Sequence, residues 1–164
     1  MSRVHIHHLY LSPGHNYFGH HGKPAGEHPI VECRELELVA GSGIKGDRFF
    51  DFKPDYKGQI TFFDYDLYRE VCQRFQRPEL APSAFRRNVL VSGVDLLTLI
   101  ERPFSIGEVS FTGSAECSPC YWMDQAVAPG TEDFLKGRGG LRARITRSGS
   151  LFPGPQSLLV SPHD

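Results

Sequence analysis

The sequence predicts a mainly β, β-barrel-like fold with one principal helix and short helical segments. The prediction depends on many short apolar runs separated by turn residues, and on the 17 glycines and 12 prolines of the 164-residue chain. Only one segment carries a helical spacing of apolar residues over several turns. We find no repeat, low-complexity tract or linker. We therefore expect residues 1–164 to form a single domain, with the motif-bearing part at about 30–160.

The predicted strands share a two-residue apolar period or a short apolar run bounded by turn residues: 3–11, 30–39, 60–63, 88–91, 104–106, 108–111, 141–146 and 157–160. The second of these strands changes phase near Glu35, which indicates a bend or bulge. Asp64 is a suitable N-cap for the principal helix, which ends near residue 75 ahead of two prolines. A short helix is predicted at 131–136. Residues 12–29, rich in histidine, glycine and proline, are predicted to form a loop.

Composition limits the classes of function. A formal net charge of −1 argues against a general nucleic-acid-binding protein, which carries a basic excess. No segment has the apolar length of a signal peptide or a membrane span, so we expect no membrane association and a cytoplasmic location. The four cysteines are too dispersed for a disulfide scaffold, which agrees with a reducing compartment.

Residues 41–46 (GSGIKG) match the dinucleotide-binding pattern G-x-G-x-x-G and follow a predicted strand. That motif requires a helix whose N-terminus holds a pyrophosphate. Residues 47–54 show no helical spacing and end in a proline, so a nucleotide site is not expected. We expect a tight glycine turn that presents Lys45, Asp47 and Arg48; a solvated loop is the alternative.

Two cysteines lie three positions apart in residues 116–124 (ECSPCYWMD), beside the only tryptophan. Such a pair is compatible with disulfide chemistry, with half a zinc site or with a soft-metal ligand, and no second pair completes a zinc site. A thioredoxin-like site would need a βαβ setting, and c-type haem attachment would need histidine in place of Tyr121. Pro119 restricts the backbone ahead of Cys120, whereas Cys117 has no such restraint. Two ordinary buried thiols are the alternative.

Residues with side chains suited to an anion or a heterocycle are concentrated in two segments and comprise Arg86, Arg87, Asn88, Arg138, Arg142 and Arg144. The first three stand at the start of a predicted strand, where a guanidinium fork can bind phosphate and an amide can both donate and accept. An exposed strand end is the alternative. In residues 141–145 the two-residue period places both arginines on the face opposite the apolar side chains, toward solvent or a ligand. Thiols near arginines suggest a metal cofactor that carries a phosphate.

Four blocks occur in one order along the chain: 43–48 (GIKGDR), 85–93 with FRRN and VSG, 116–120 (ECSPC) and 137–144 (GRGGLRAR). Together they resemble the MOSC domain, named for the C-terminal domain of molybdenum cofactor sulfurases, in the form of a small stand-alone bacterial member. The resemblance implies a barrel-centred fold and a cysteine that either ligates molybdenum or carries sulfane sulfur.

The resemblance assigns that role to Cys120, with Cys117 in reserve. It implies that molybdenum cofactor (molybdopterin) is held by the cofactor-binding residues Lys45, Asp47, Arg48, Arg86, Arg87, Asn88, Arg138, Arg142 and Arg144. One function class is then a reductase of N-hydroxylated compounds that takes electrons from an external redox protein. The other is a non-catalytic module that carries a persulfide from a sulfur donor, or the cofactor itself. The sequence contains no pyridoxal-phosphate-dependent desulfurase domain and no lysine in a Schiff-base setting, so we expect no pyridoxal phosphate.

Overall fold

The computed structural model describes residues 2–13 and 30–162, so most of the loop predicted at 12–29 lies outside the described residues. The strands are β1 (Ser2–Leu11), β2 (Val31–Cys33), β3 (Leu36–Val39), β4 (Gly43–Ile44), β5 (Ile60–Asp64), β6 (Val89–Ser92), β7 (Pro103–Ile106), β8 (Val109–Glu116), β9 (Leu141–Arg147), β10 (Gly149–Leu151) and β11 (Gly154–Val160). The helices are α1 (Tyr65–Arg74), α2 (Trp122–Ala126) and α3 (Thr131–Phe134), with 3₁₀ turns at Pro82–Phe85 and Leu96–Leu99.

Seven of the strands close into a barrel in the order β1, β11, β7, β8, β9, β5, β6 and back to β1. The ring closes because β1 is long: its first residues pair with β11 and its later residues pair with β6 and β2. Closure removes the unpaired edges that an open sheet of this size would expose. Of the four remaining strands, β2 pairs with the end of β1 outside the ring, and the other three form a small antiparallel sheet, β10-β3-β4. The prediction of a mainly β, barrel-like fold with one principal helix is confirmed.

β5 and β6 are the parallel pair of the ring, whereas its other neighbouring strands are antiparallel. Parallel neighbours cannot be joined by a tight turn and need a crossover, which α1 supplies here. The predicted N-cap is confirmed, because the Asp64 carboxylate accepts hydrogen bonds from the backbone N–H groups of Asp66 (2.8 Å) and Leu67 (3.4 Å). The helix ends at Arg74, within a residue of the prediction.

Successive residues of β5 serve two separate cores. Phe62 faces the barrel interior, where its ring centroid lies 5.4 Å from that of Phe111. Phe63 faces outward and stacks at 4.5 Å on Phe85, in a second core between the barrel and the helices. This division follows from the two-residue period of a strand, and it explains why large apolar side chains occur on both faces of β5.

The strand predicted at 30–39 is interrupted near Glu35, as expected, and its two halves enter different sheets. Three elements were missed: β4 and β10, which are too short to show a period, and α2, which follows the proline-containing cysteine segment. The short helix predicted at 131–136 is present as α3. Within residues 2–13 and 30–162, none of the helices has the length and apolar character that crossing a bilayer requires.

Candidate thiol and anion site

A pocket of about 170 Å³ lies where β5, β6 and β9 begin and β8 ends. Its charged and thiol-bearing lining residues are Arg48, Arg86, Arg87, Cys117, Cys120 and Arg142. The rings of Phe49, Tyr56 and Trp122 also line it, and no Asp or Glu is found among the described residues of the lining. Four guanidinium groups therefore surround a cavity that also exposes sulfur, in a chain whose net charge is −1.

The barrel register aims Arg142 at this pocket. Arg142 stands opposite Thr61 of β5 on one side and Ala115 of β8 on the other. Its neighbours on β9, Leu141 and Ala143, are fully buried in the barrel core. The alternation of a strand then directs the Arg142 side chain out of the core, as the sequence period predicts.

The two cysteines of the pair differ sharply in exposure. Cys117 directly follows β8 and is buried, and its backbone N–H donates to the Gly140 carbonyl at 2.8 Å. Cys120 is exposed and stands just ahead of α2. Both thiols line the same pocket, whereas Cys33 and Cys72 are partly buried elsewhere. Cys120 is therefore the thiol that a ligand or another protein can reach most easily.

Arg87 fastens the cysteine segment to the barrel. Its Nε donates to the Gly139 carbonyl at 3.1 Å, and its two terminal nitrogens donate to the carbonyls of Phe85 (2.8 Å) and Cys117 (3.3 Å). Backbone carbonyls accept these bonds without neutralising the guanidinium charge. Arg87 thus positions Cys117 while its positive charge still acts on the pocket.

Asn88 is buried, and its side chain is occupied by the protein itself. The amide oxygen accepts from the backbone N–H and the hydroxyl of Thr61, at 2.9 and 3.0 Å, and the amide nitrogen donates to the Tyr10 carbonyl at 3.1 Å. These bonds join β1, β5 and the start of β6 directly beneath the arginines. The direct cofactor contact predicted for Asn88 stays a prediction, and the observed contacts give it a supporting role.

Arg48 and Asp47 follow the glycine turn and behave differently. The Asp47 carboxylate is buried and accepts from the backbone N–H groups of Ser12 (2.9 Å) and Phe49 (3.2 Å). Only 14% of the Arg48 side chain is exposed, and its Nη1 lies 3.7 Å from the nearer Asp47 oxygen. Burial lowers the pKa of Arg48, and the positive charge of Arg87 lowers this pKa further, although Asp47 partly opposes both effects. A bound anion would stabilise the charged form of Arg48.

Besides Asp47 and Asn88, three of the predicted cofactor-binding residues do not line the pocket. Lys45 forms an ion pair of 2.6 Å with Glu37 on the small sheet. Arg144 forms an ion pair of 2.9 Å with Asp55. Arg138 donates to the Phe134 carbonyl at 2.7 Å and borders a different cavity, beside α1. Each of these side chains is engaged with the protein surface instead of the cysteine pair.

Sequence reasoning missed two glycines that allow the pocket to form. A Cβ atom at Gly139 would lie 2.2 Å from the Cys117 carbonyl oxygen and 2.7 Å from the Pro119 ring. Gly140 has a φ of +109° and a Cβ there would lie 2.2 Å from the Phe62 carbonyl oxygen. Only glycine permits backbones to approach this closely. The adjacent glycines in the GRGG motif were the available signal.

Among the described residues, no group of three or more His, Cys, Asp or Glu side chains is arranged to hold a metal ion. A metal that brings most of its own ligands needs only one protein ligand, and the exposed Cys120 thiol is a soft donor of the kind that such a metal binds. The arginine-lined pocket beside it suits a phosphate. The donor set therefore fits a metal cofactor with an anionic tail.

The geometry defines a class of protein, a small closed β-barrel with a thiol and arginine pocket where three strands begin and one ends. The MOSC domain family model matches residues 19–156, and the chain belongs to that family, which is associated with molybdenum cofactor binding. The chain matches no curated protein sequence.

Solved structures share the fold. YuaD from Bacillus subtilis superposes with a TM-score of 0.76 at 18% identity, covering 99% of this chain and 98% of that one. YiiM from Escherichia coli superposes with a TM-score of 0.69 at 19% identity, covering 100% and 73%. YiiM from Geobacillus stearothermophilus gives a TM-score of 0.69 at 13% identity, covering 97% and 75%.

Proposed function

We propose that the protein binds molybdenum cofactor in the thiol and arginine pocket and reduces N-hydroxylated compounds with electrons from an external redox protein. In this proposal Cys120 is the protein ligand to the metal, and the arginines hold the phosphate of the cofactor. The observation that carries the proposal is the convergence of one exposed thiol and four arginines on a single pocket without a carboxylate in its described lining.

Electrostatics favours an anion in this pocket. Arg48 is mostly buried, and Arg87 makes its bonds to neutral carbonyls, so the two guanidinium groups repel each other without full compensation. Charge-assisted bonds from guanidinium to phosphate are shorter and stronger than neutral ones. A phosphate-bearing ligand would therefore gain binding energy and also relieve this repulsion.

The residues of the chain have separate tasks in this proposal. When bound, the cofactor supplies the two-electron redox chemistry, while the protein supplies position and charge. Cys120 fixes the metal end, and Arg142 and Arg86 orient the phosphate end. Arg87 and Gly139 contact the Cys117 backbone and thereby fix the start of the segment that leads to Cys120. The rings of Phe49 and Tyr56 limit the access of water to one wall of the pocket.

The first prediction concerns cofactor loading and uses two neighbouring arginines on one face of β9. In a host that makes molybdenum cofactor, we expect the wild-type protein to carry molybdenum and phosphate-bearing pterin, and Cys120→Ser to lose the metal. Arg142→Gln should weaken cofactor binding by roughly 10- to 100-fold, because a charge-assisted bond contributes about 1.5–3 kcal/mol. Elemental analysis measures the bound molybdenum, and fluorescence measures the bound pterin.

Arg144→Gln is the matched control, since Arg144 lies on the same face of β9 but pairs with the exposed Asp55. It should load like the wild type. Equal losses in the two arginine variants, or unchanged molybdenum in Cys120→Ser, would contradict the assignment of this pocket.

The second prediction concerns electrons. The sequence has no haem-attachment motif, no iron–sulfur cysteine run and no helix after the 41–46 turn that could hold a nicotinamide or flavin dinucleotide. Molybdenum-loaded protein should therefore reduce an amidoxime with reduced viologen as the donor, and should show no turnover with NADH alone. Sustained NADH-driven reduction by the isolated chain would contradict the need for an external donor.

A carrier function is the second candidate, and the exposure of Cys120 favours it because another protein can reach this sulfur directly. In that case Cys120 would hold a persulfide received from a sulfur donor, or the pocket would deliver the cofactor without turnover. Full molybdenum loading with no turnover from either donor would favour cofactor delivery. A persulfide on Cys120 in molybdenum-free protein would favour sulfur transfer.

A further inference from the structure

The second thiol of the pocket has no task in the proposed function. Cys117 lines the same cavity as Cys120, whereas Cys33 lies on β2 and Cys72 lies on α1. A single metal ligand requires one cysteine, and a buried packing position would be filled as well by alanine or valine. The presence of two thiols on one pocket therefore suggests a joint role.

The chain path allows the two sulfurs to meet. Three residue steps span at most about 11 Å when fully extended, and any turn shortens this distance toward the Cα separation of 4.4–6.8 Å typical of disulfides. The Cys117 end of the segment is fixed, because its N–H and carbonyl are bonded to Gly140 and Arg87. Cys120 is the exposed end, so we expect a closing movement to take place at that end of the segment.

Positively charged side chains surround the pair. Arg48 interacts electrostatically with Cys117, and Arg87 donates to the Cys117 carbonyl. Arg142 lines the same cavity, and no carboxylate opposes these cations among the described lining residues. An anionic disulfide such as glutathione disulfide would be attracted to a pocket of this charge.

We propose that Cys117 and Cys120 are a redox modification site, in which exposed Cys120 attacks a small disulfide oxidant and buried Cys117 resolves the product as an intramolecular disulfide. With glutathione disulfide, the Cys120 thiolate displaces one glutathione thiolate and forms a mixed disulfide. The Cys117 thiolate then attacks the Cys120 sulfur and displaces the second glutathione. The pair loses two electrons and two protons in total, and one glutathione disulfide is reduced to two thiols.

The disulfide has a consequence for the proposed function. This consequence rests on the proposed function, whereas the formation of the disulfide does not. A sulfur that is bonded to Cys117 cannot ligate a metal, so oxidised protein would not accept the cofactor. A bound metal would in turn protect Cys120 from the oxidant. The pair would then couple loading of the pocket to the redox state of its surroundings.

The test uses the purified metal-free 164-residue chain, equilibrated in buffers with graded ratios of reduced to oxidised glutathione and then analysed by alkylation and peptide mapping. We expect oxidised buffers to remove two of the four free thiols with no retained glutathione, and the map to join the peptides of Cys117 and Cys120. Cys117→Ser should instead retain one glutathione on Cys120. Cys33→Ser and Cys72→Ser should behave as the wild type does.

Glutathione retained on Cys120 of the wild type, or four thiols that stay free in oxidised buffer, would overturn the proposal. The wild-type map decides the matter even if Cys117→Ser does not fold. Molybdenum-loaded protein should form the disulfide at least tenfold more slowly than metal-free protein. If metal-free protein forms the disulfide but no preparation ever binds molybdenum, the redox pair stands and the proposed cofactor function fails.

Discussion

Gly140→Ala should lower the free energy of unfolding by at least about 3 kcal/mol, which for a chain of this size lowers the melting temperature by roughly 6–12 °C. The residue has a φ of +109°, which L side chains rarely adopt, and its added methyl group would lie 2.2 Å from the Phe62 carbonyl oxygen. That oxygen belongs to β5 in the barrel wall and cannot move without disturbing the sheet. Urea denaturation measures the loss.

Gly137→Ala is the matched control for this effect. Gly137 also has a positive φ, of +78°, but an added Cβ would meet nothing within 4 Å. Its substitution should cost only about 1 kcal/mol, the ordinary penalty of a left-handed backbone. If the two substitutions lowered the free energy of unfolding equally, the close approach of Gly140 to Phe62 would make no contribution to stability.

Arg87→Lys should destabilise the protein by about 2–5 kcal/mol although it preserves the positive charge. An ammonium group cannot reproduce the planar fork that reaches the three carbonyls of Phe85, Cys117 and Gly139. Each buried carbonyl left without a donor costs about 1–3 kcal/mol. Because the Cys117 backbone loses a restraint, its buried thiol should also react faster with a maleimide. Denaturant titration and thiol kinetics give the two measurements.

Arg142→Lys is the control for Arg87→Lys. Arg142 lines the same pocket, but its strand β9 is held in place by backbone pairing with β5 and β8. It should change the stability by less than about 0.5 kcal/mol. If Arg87→Lys is as stable as the wild type and leaves Cys117 equally protected, Arg87 serves the pocket by charge alone, and its bracing role is wrong.

Local patterns in the sequence were sufficient for most of the secondary structure. The two-residue period located the strands, and Asp64 located the start of α1, because both signals depend only on neighbours along the chain. The change of phase near Glu35 located the break between β2 and β3. The elements that escaped prediction have two, three and five residues, and such short segments show no complete period.

The candidate site could be predicted only in part for the same reason. The period of β9 predicts that Arg142 and Arg144 share a face. It cannot predict that Arg142 lines the pocket of the thiols while Arg144 pairs with Asp55, because Asp55 is distant in sequence. The motif of two arginines and Asn88 is visible in the sequence, but the different roles of its residues are not. Arg87 bonds to the Gly139 carbonyl, Asn88 bonds to the Tyr10 carbonyl and Arg86 lines the pocket, and these roles depend on which groups lie nearby in space.

The sequence by itself determined the fold class, the family and the pair of cysteines, since all three follow from residue order and composition. Only the tertiary structure decided that Cys117 is buried and Cys120 is exposed, and that Arg48, Arg87 and Arg142 meet around them. The physical reason is barrel closure. It brings the end of β8, the starts of β5, β6 and β9 and the turn after β4 to one place, and Gly139 and Gly140 let their backbones pack in direct contact.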